Sequence, residues 1–417
     1  MPQRWSLLQK LVGDASPSPE GWRPVALVQV SVGATEVAMP SQVEPGDRLW
    51  VEATIDGQVV GIFESRAGPE GLSPSFLRDL ATSLADVQPS AHAQVPDELL
   101  ARATVVVPTI CQNPARLVRT IEALLDLDYP DFEIIVVDNR TEADRPALPD
   151  FSGGERVRVS VETKRGVSAA RNRGIADAQG DIVAFTDDDA VVDRDWLRVL
   201  GSRFALDADV EGIGGLVLPM EIDTPSQLWF EEFYGGFSQS FDAEMFSMER
   251  LKGVDELFPY APGRFGAGNN MAFRRSTLLR SGGFNVCLGT GTPARGGEDL
   301  AIFVNLLLAG GTTAFEPAAL VRHSHRRTEY EFMRQVFGYG VGLTAMYVAM
   351  IAGDPKHLVA MIKRIPGGVR LLTRPRAERS PSSTPSYPRR TIVYQVLGMA
   401  FGPFAYLRSV ARDRWGS

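Results

Sequence analysis

Hydrophobic and polar positions follow two different patterns along this chain. Near its start they come in short β-type bursts: Val25–Val32, Leu49–Ile55 and Gln58–Phe63 read as strands, with Asp56-Gly57 as a hairpin turn. Phe76–Val87 has helical spacing, and Val87–Pro96 reads as a linker. From about Ala101 the pattern changes. Ala103–Val107, Phe132–Val137 and Ile182–Thr186 are near-continuous apolar runs, separated by helical spacing over Asn113–Leu125 and Gly166–Ala178. Strands apolar on both faces and alternating with helices predict a mostly parallel sheet with helices on both faces. Val210–Leu218 and Thr313–Val321 extend the strand set, and Leu300–Leu308 is a helix that stops at Gly310-Gly311. Phe337–Ile351 is apolar almost all round, and Arg, Pro and Ser dominate between Arg370 and Arg390, which reads as a surface segment. The expected class is α/β with three regions: a small N-terminal β-rich module with its linker (1–100), a central sheet domain (101–330) and a helical, basic C-terminus (331–417).

Composition adds little to this picture and charge adds more. Hydrophobic residues make up 44% and charged ones 23%, as in ordinary globular proteins. The formal charge of −8 hides an uneven distribution: 355–417 carries twelve Lys or Arg against Glu378 and Asp413, which leaves −18 on the rest. A body this acidic does not attract nucleic acid. Two cysteines, Cys111 and Cys287, are too few for a disulfide framework and point to a reducing compartment. Met1–Ser6 has no signal-peptide character, so the expected location is cytoplasmic. Phe337–Ile351 reads either as a buried helix or, together with Ile392–Leu407 and the basic tail, as a peripheral contact with the inner face of the membrane.

Chemistry is concentrated at the carboxyl ends of the apolar runs, where open α/β sheets bind their ligands. Thr109, Asp138 and Asp187-Asp188-Asp189 all lie there. Three adjacent carboxylates repel one another, and a hard divalent cation, Mg²⁺ or Mn²⁺, relieves that repulsion. Asp187 and Asp189 are two residues apart, so on an extended segment both address one ligand. Glu298-Asp299 after Gly296-Gly297 reads either as a pair of acids complementing a helix N-terminus or as an acid–base site.

Val107-Pro108-Thr109, Val136–Asn139, Ala170–Gly174, Thr186–Asp189, Gly297–Asp299 and His323, in this order, resemble family 2 glycosyltransferases with the GT-A fold, of bacterial type. The resemblance covers roughly 101–328. It implies transfer of a sugar from a nucleotide diphosphate donor to an acceptor hydroxyl with inversion, aided by Mn²⁺ or Mg²⁺. It places Pro108, Thr109, Asp138, Arg171, Asp187 and Asp188 around the nucleotide sugar, and Asp187, Asp189 and His323 at the metal. Gly297 and Glu298 fall to the acceptor, and Asp299 to the general base. The string Pro317–Arg326 is similar to metal-dependent polypeptide GalNAc-transferases, which makes His323 the third ligand, with His325 as its alternative on the same strand face. The implied acceptor is a glycan, a lipid-linked carrier or a small molecule. Two rival readings are a sugar-phosphate nucleotidyltransferase and a non-catalytic nucleotide-sugar-binding protein. The first wants a Gly-rich, basic loop that Thr109–Pro114 does not supply, and the second has no need of Asp299.

Overall fold

The N-terminal bursts become β1 (Ala26–Ser31), β2 (Arg48–Ile55) and β3 (Gln58–Arg66) in the computed structural model, which describes residues 22–89, 94–141, 147–151, 156–237, 240–251, 257–367 and 390–415. The linker expectation falls partly, and the Arg/Pro/Ser segment almost wholly, outside these described residues. β1 pairs parallel with β2, and β2 pairs antiparallel with β3. The β2–β3 turn needs two left-handed residues, which Asp56 (φ 50°) and Gly57 (φ 85°) provide. Helix α1 (Pro74–Ser83) is capped by Ser73, whose hydroxyl accepts the Phe76 N–H at 3.2 Å. Leu77 and Leu80 of α1 join Val28, Val30, Leu49 and Val51 in one small core. A second core lies around Leu27 and Trp50, with Ile222 and Leu228. The compact unit is therefore discontinuous in sequence, combining residues 1–91 with Pro219–Gly236 and Ser324–Phe332.

The second unit, His92–Leu218, Phe237–His323 and Met333–Ser417, contains the large sheet. β4 (Ala103–Thr109) and β5 (Phe132–Asp138) are buried along their whole length, as their uninterrupted apolar runs require. With β6 (Val157–Val161) and β7 (Ile182–Phe185) they form a parallel group, β7-β4-β5-β6. The other half contains antiparallel pairings. β8 (Ala190–Val192), β9 (Val210–Pro219), β10 (Glu244–Phe246), β11 (Met271–Arg274) and β12 (Thr312–His323) extend the order to β10-β12-β9-β11-β7, with β8 on β12. The expected α/β class, N-terminal sheet and helical C-terminus are all present.

Helix α2 (Pro114–Leu125) packs near β8, α3 (Val167–Asp177) on β4, β5 and β6, α4 (Trp196–Leu206) on β12, and α5 (Arg275–Ser281) beside β11. Gly174 lets α3 lie directly on β4, because a Cβ there would collide with Val106. Further on come α6 (Glu298–Leu308), α7 (Glu329–Gly353), α8 (Lys356–Ile362) and α9 (Arg390–Trp415). Gly342 in the middle of α7 rests on the backbone of Gly296 and Gly297, where an added Cβ would come within 2.7 Å of the Gly296 carbonyl carbon. That contact presses α7 against the turn that opens α6.

Candidate active site

The carboxyl ends of β4, β5 and β7 bring the expected residues onto one rim. Pro108 and Thr109 pair with Val137 and Asp138 across β4 and β5. β7 ends at Phe185, and the acidic run follows directly before β8. β8 then pairs with the end of β12 in the register Ala190↔His323, which carries the imidazole to the acidic run. Donor atoms of Asp187, Asp189 and His323 all lie within 4.8 Å of one another. His323 Nε2 is 3.2 Å from Asp189 Oδ1. Two carboxylates and an imidazole at this spacing could hold a divalent cation. The His323 and Asp189 side chains are 6% and 14% exposed, and Asp187 keeps 36% of its side-chain surface. Burial raises the Asp187 carboxyl above its ordinary range; Arg171 opposes that rise and Asp189 adds to it. His325 is engaged elsewhere, with its Nε2 2.6 Å from Glu231.

Arg171 is the organiser of the site. Seated by α3, it donates from Nη1 to Glu298 at 2.8 Å and from Nη2 to the Gly268 carbonyl at 3.0 Å. The same Nη2 lies 3.5 Å from Asp187 Oδ1. Its guanidinium carbon stands 5.4 Å from the Phe284 ring centre. The Phe284 loop is fixed in turn by Asn172, which donates to the Phe284 carbonyl and accepts its N–H, both at 2.8 Å. Arg171 is only 2% exposed, so its charge is held in place by protein contacts.

Asp299 belongs to the same network. Its Oδ2 accepts the Gly268 N–H at 2.9 Å, and its Oδ1 accepts the N–H of Leu300 at 2.8 Å. Gly268 therefore bridges Arg171 and Asp299 through its carbonyl and its N–H. A Cβ at this position would lie 2.7 Å from Arg171 Nη2 and 3.2 Å from Asp299 Oδ2, so only glycine leaves the bridge undisturbed. Gly297 (φ 85°) precedes α6 and turns Glu298 inward. Burial first, then Asp299, raises the Glu298 carboxyl to about 7, while Arg171 pulls it back.

Three expected ligand residues already have protein partners. Asp138 receives a bidentate pair from Arg140, Nε to Oδ1 and Nη2 to Oδ2, both at 2.9 Å. Thr109 makes a short hydrogen bond to Asp188 and accepts the Cys111 N–H at 2.8 Å. Glu298 is taken by Arg171. The sequence reading missed Gly268, Arg140, Asn172 and Phe284. Gly268 carried a signal in its place in the Gly-rich stretch Gly266–Phe273, and Asn172 in the run Ala170–Gly174, where only Arg171 was given a role.

Fold and site together define a class: an α/β protein whose sheet carries an acidic rim with a donor set that could hold a metal ion. Residues 104–274 match the model of the family Glycosyl transferase family 2. It is 28% identical over 247 residues to a putative polypeptide N-acetylgalactosaminyltransferase 13 of Drosophila melanogaster, covering 56% of this chain and 43% of the relative. It is 29% identical over 173 residues to the glucosyl-dolichyl phosphate glucuronosyltransferase of Haloferax volcanii, covering 41% and 51%. The pre-mycofactocin glycosyltransferase of Mycobacterium tuberculosis is 26% identical over 253 residues, covering 60% and 48%. The chain thus spans about half the length of these curated relatives. Among solved structures it is similar to a mannosyltransferase from Pyrobaculum calidifontis in complex with GDP-Man and Mn²⁺. That likeness has 17% identity and a TM-score of 0.45, and covers 79% of this chain and 90% of the other.

Proposed function

We propose that this protein is an inverting, divalent-metal-dependent glycosyltransferase that moves a sugar from a nucleotide diphosphate donor to an acceptor hydroxyl. One observation carries the reading. The Asp187–Asp189–His323 group and Asp299 are joined through Arg171 and Gly268 into one network, so a leaving-group site and a proton acceptor share one rim. Asp187, Asp189 and His323 would hold Mn²⁺ or Mg²⁺, which when bound offsets the charge gathering on the departing diphosphate. The acceptor oxygen attacks the anomeric carbon opposite that diphosphate. The new C–O bond forms as the old one breaks, and the hydroxyl proton passes to Asp299. Each Asp299 oxygen accepts one backbone N–H and keeps a second lone-pair direction for that proton. Arg171 supplies fixed positive charge beside Asp187, and Glu298 positions Arg171. Pro108, Thr109, Asp138 and Asp188 form the nucleotide side of the rim, with Gly297 beside the acceptor.

One relative is named for a lipid-linked substrate, and we carry a glycan or lipid-linked acceptor over to this chain. The location in this reading is cytoplasmic; the free Cys111 and Cys287 agree with a reducing compartment. Mn²⁺-dependent thermal stabilisation by UDP-, GDP- and dTDP-sugars identifies the donor, because a ligand of the folded state raises its apparent stability. With that donor, Asp299→Asn is expected to lower kcat by roughly 10²–10⁴-fold while donor affinity stays within about twofold. A variant that turns over at the parent rate removes Asp299 from the role of base.

A further inference from the structure

The C-terminal helix α9 has its residue types arranged inside out. Its buried stripe is mostly small, with Thr391, Gly398, Gly402, Ala405 and Ser409 turned to the protein beside the single large side chain of Tyr406. Its outer stripe is large and apolar: Ile392, Val396, Leu397, Phe401, Phe404 and Leu407 are all exposed, Phe404 at 69%. A helix of a water-soluble surface has the reverse order. Small residues inward and bulky apolar ones outward is the arrangement of helices bathed in lipid, where close backbone packing replaces an apolar seam. Such packing is present here. Side chains added at Gly398 or Gly402 would strike the backbone of α7, and Thr344 Oγ1 donates to the Met399 carbonyl at 2.8 Å.

We propose that the outer face of α9 is an interfacial docking surface for a membrane bearing anionic lipids. Three observations choose this occupant. The uncharged stretch Ile392–Leu407 is sixteen residues, about 24 Å of helix, against about 30 Å of hydrocarbon. It therefore lies along the interface and does not span it. Cations flank it: Arg390 precedes it, and Arg408, Arg412 and Arg414 follow. The one acid in the sequence from Arg390 to Trp415, Asp413, is paired with Lys164. Two copies pressed together over this stripe would bring like charges at its ends close to one another, whereas anionic headgroups complement them. α8 adds exposed Leu358, Val359 and Ile362 next to Lys356 and Lys363. α7 is long and apolar enough to cross a membrane, yet its midpoint Gly342 lies against the Gly296-Gly297 turn, so that part faces protein. α7 thus links the docking face of α9 on one side to the turn before Asp299 on the other.

Flotation of the full chain with phosphatidylcholine vesicles, with and without about 30 mol % phosphatidylglycerol, tests the surface. The protein is expected to float with the anionic vesicles and to be released by about 1 M salt. Phe401→Glu/Phe404→Glu/Leu407→Glu should reduce flotation about tenfold at unchanged circular dichroism, since all three side chains are exposed. If that variant loses its fold, Arg408→Glu/Arg412→Glu serves in its place. A parent chain that stays at the bottom of both gradients overturns the proposal, and so does a folded variant that floats like the parent. A dimer in sedimentation that the triple variant disperses, with no flotation, assigns the face to a second copy. Flotation needs no turnover, so its result is independent of the proposed reaction.

Discussion

Arg171 has to satisfy several partners at once, and that constrains what can change around it. Its charge is shared among Glu298, Asp187 and the Gly268 carbonyl. Removing Asp189 leaves this arrangement intact, because Asp189 contacts His323 and Arg171 contacts Asp187. Asp189→Ala should therefore cost at least about tenfold in Mn²⁺-dependent donor affinity and nothing in metal-free binding, as read by calorimetry with and without the ion. Equal affinities for parent and variant in both conditions would take Asp189 out of the metal group. The residue types at the site were legible in the sequence, but several of their partners were not. Resemblance assigned Glu298 to the acceptor, yet its carboxylate is buried against Arg171, and Asp138 is clasped by Arg140. Nothing in residue spacing encodes which cation a buried carboxylate meets, since packing settles that.

At the scale of elements, the close approach of α7 to the Gly296-Gly297 turn holds the start of α6 in place. Gly342→Ala would place a methyl 2.7 Å from a backbone carbon that cannot rotate away. We expect a loss of about 1–3 kcal/mol and a lower kcat with donor affinity retained, measured by urea unfolding and steady-state kinetics. An unchanged unfolding midpoint would mean that the turn yields freely. The parallel half of the sheet could be read from the sequence because β4 and β5 are buried on both faces and hence apolar throughout. The antiparallel strands were harder to read. β8, β10 and β11 are three or four residues long, too short for a period to register. His323 reaches the acidic run through the pairing of β8 with β12, a long-range contact that no local pattern announces.

For the molecule as a whole, acidity raises a question of pH. Burial first, then Glu64, lifts the Glu232 carboxyl to about 7, while Arg48 at 2.6 Å opposes the rise. A carboxyl whose folded pKa exceeds its unfolded value of about 4.3 stabilises the fold fully at low pH, and that contribution is lost as pH climbs through about 7. Glu232→Gln should therefore shrink the fall in stability between about pH 5 and pH 8 by roughly 1–3 kcal/mol, as chemical denaturation at the two values would reveal. An identical fall in parent and variant would refute the assignment.

The discontinuous make-up of the N-terminal unit has a practical consequence. Ile222 and Leu228 bury themselves against Leu27 and Trp50, so β1 and β2 hold up the excursion Pro219–Gly236 that the chain makes after β9. A version starting at residue 94 would strip the cover from those two side chains and strand Ser324–Phe332, the segment that begins one residue after His323. Such a truncated chain should go largely to inclusion bodies, or bind a hydrophobic dye far more than the parent. Soluble, active material from it would make the leading segment a dispensable passenger.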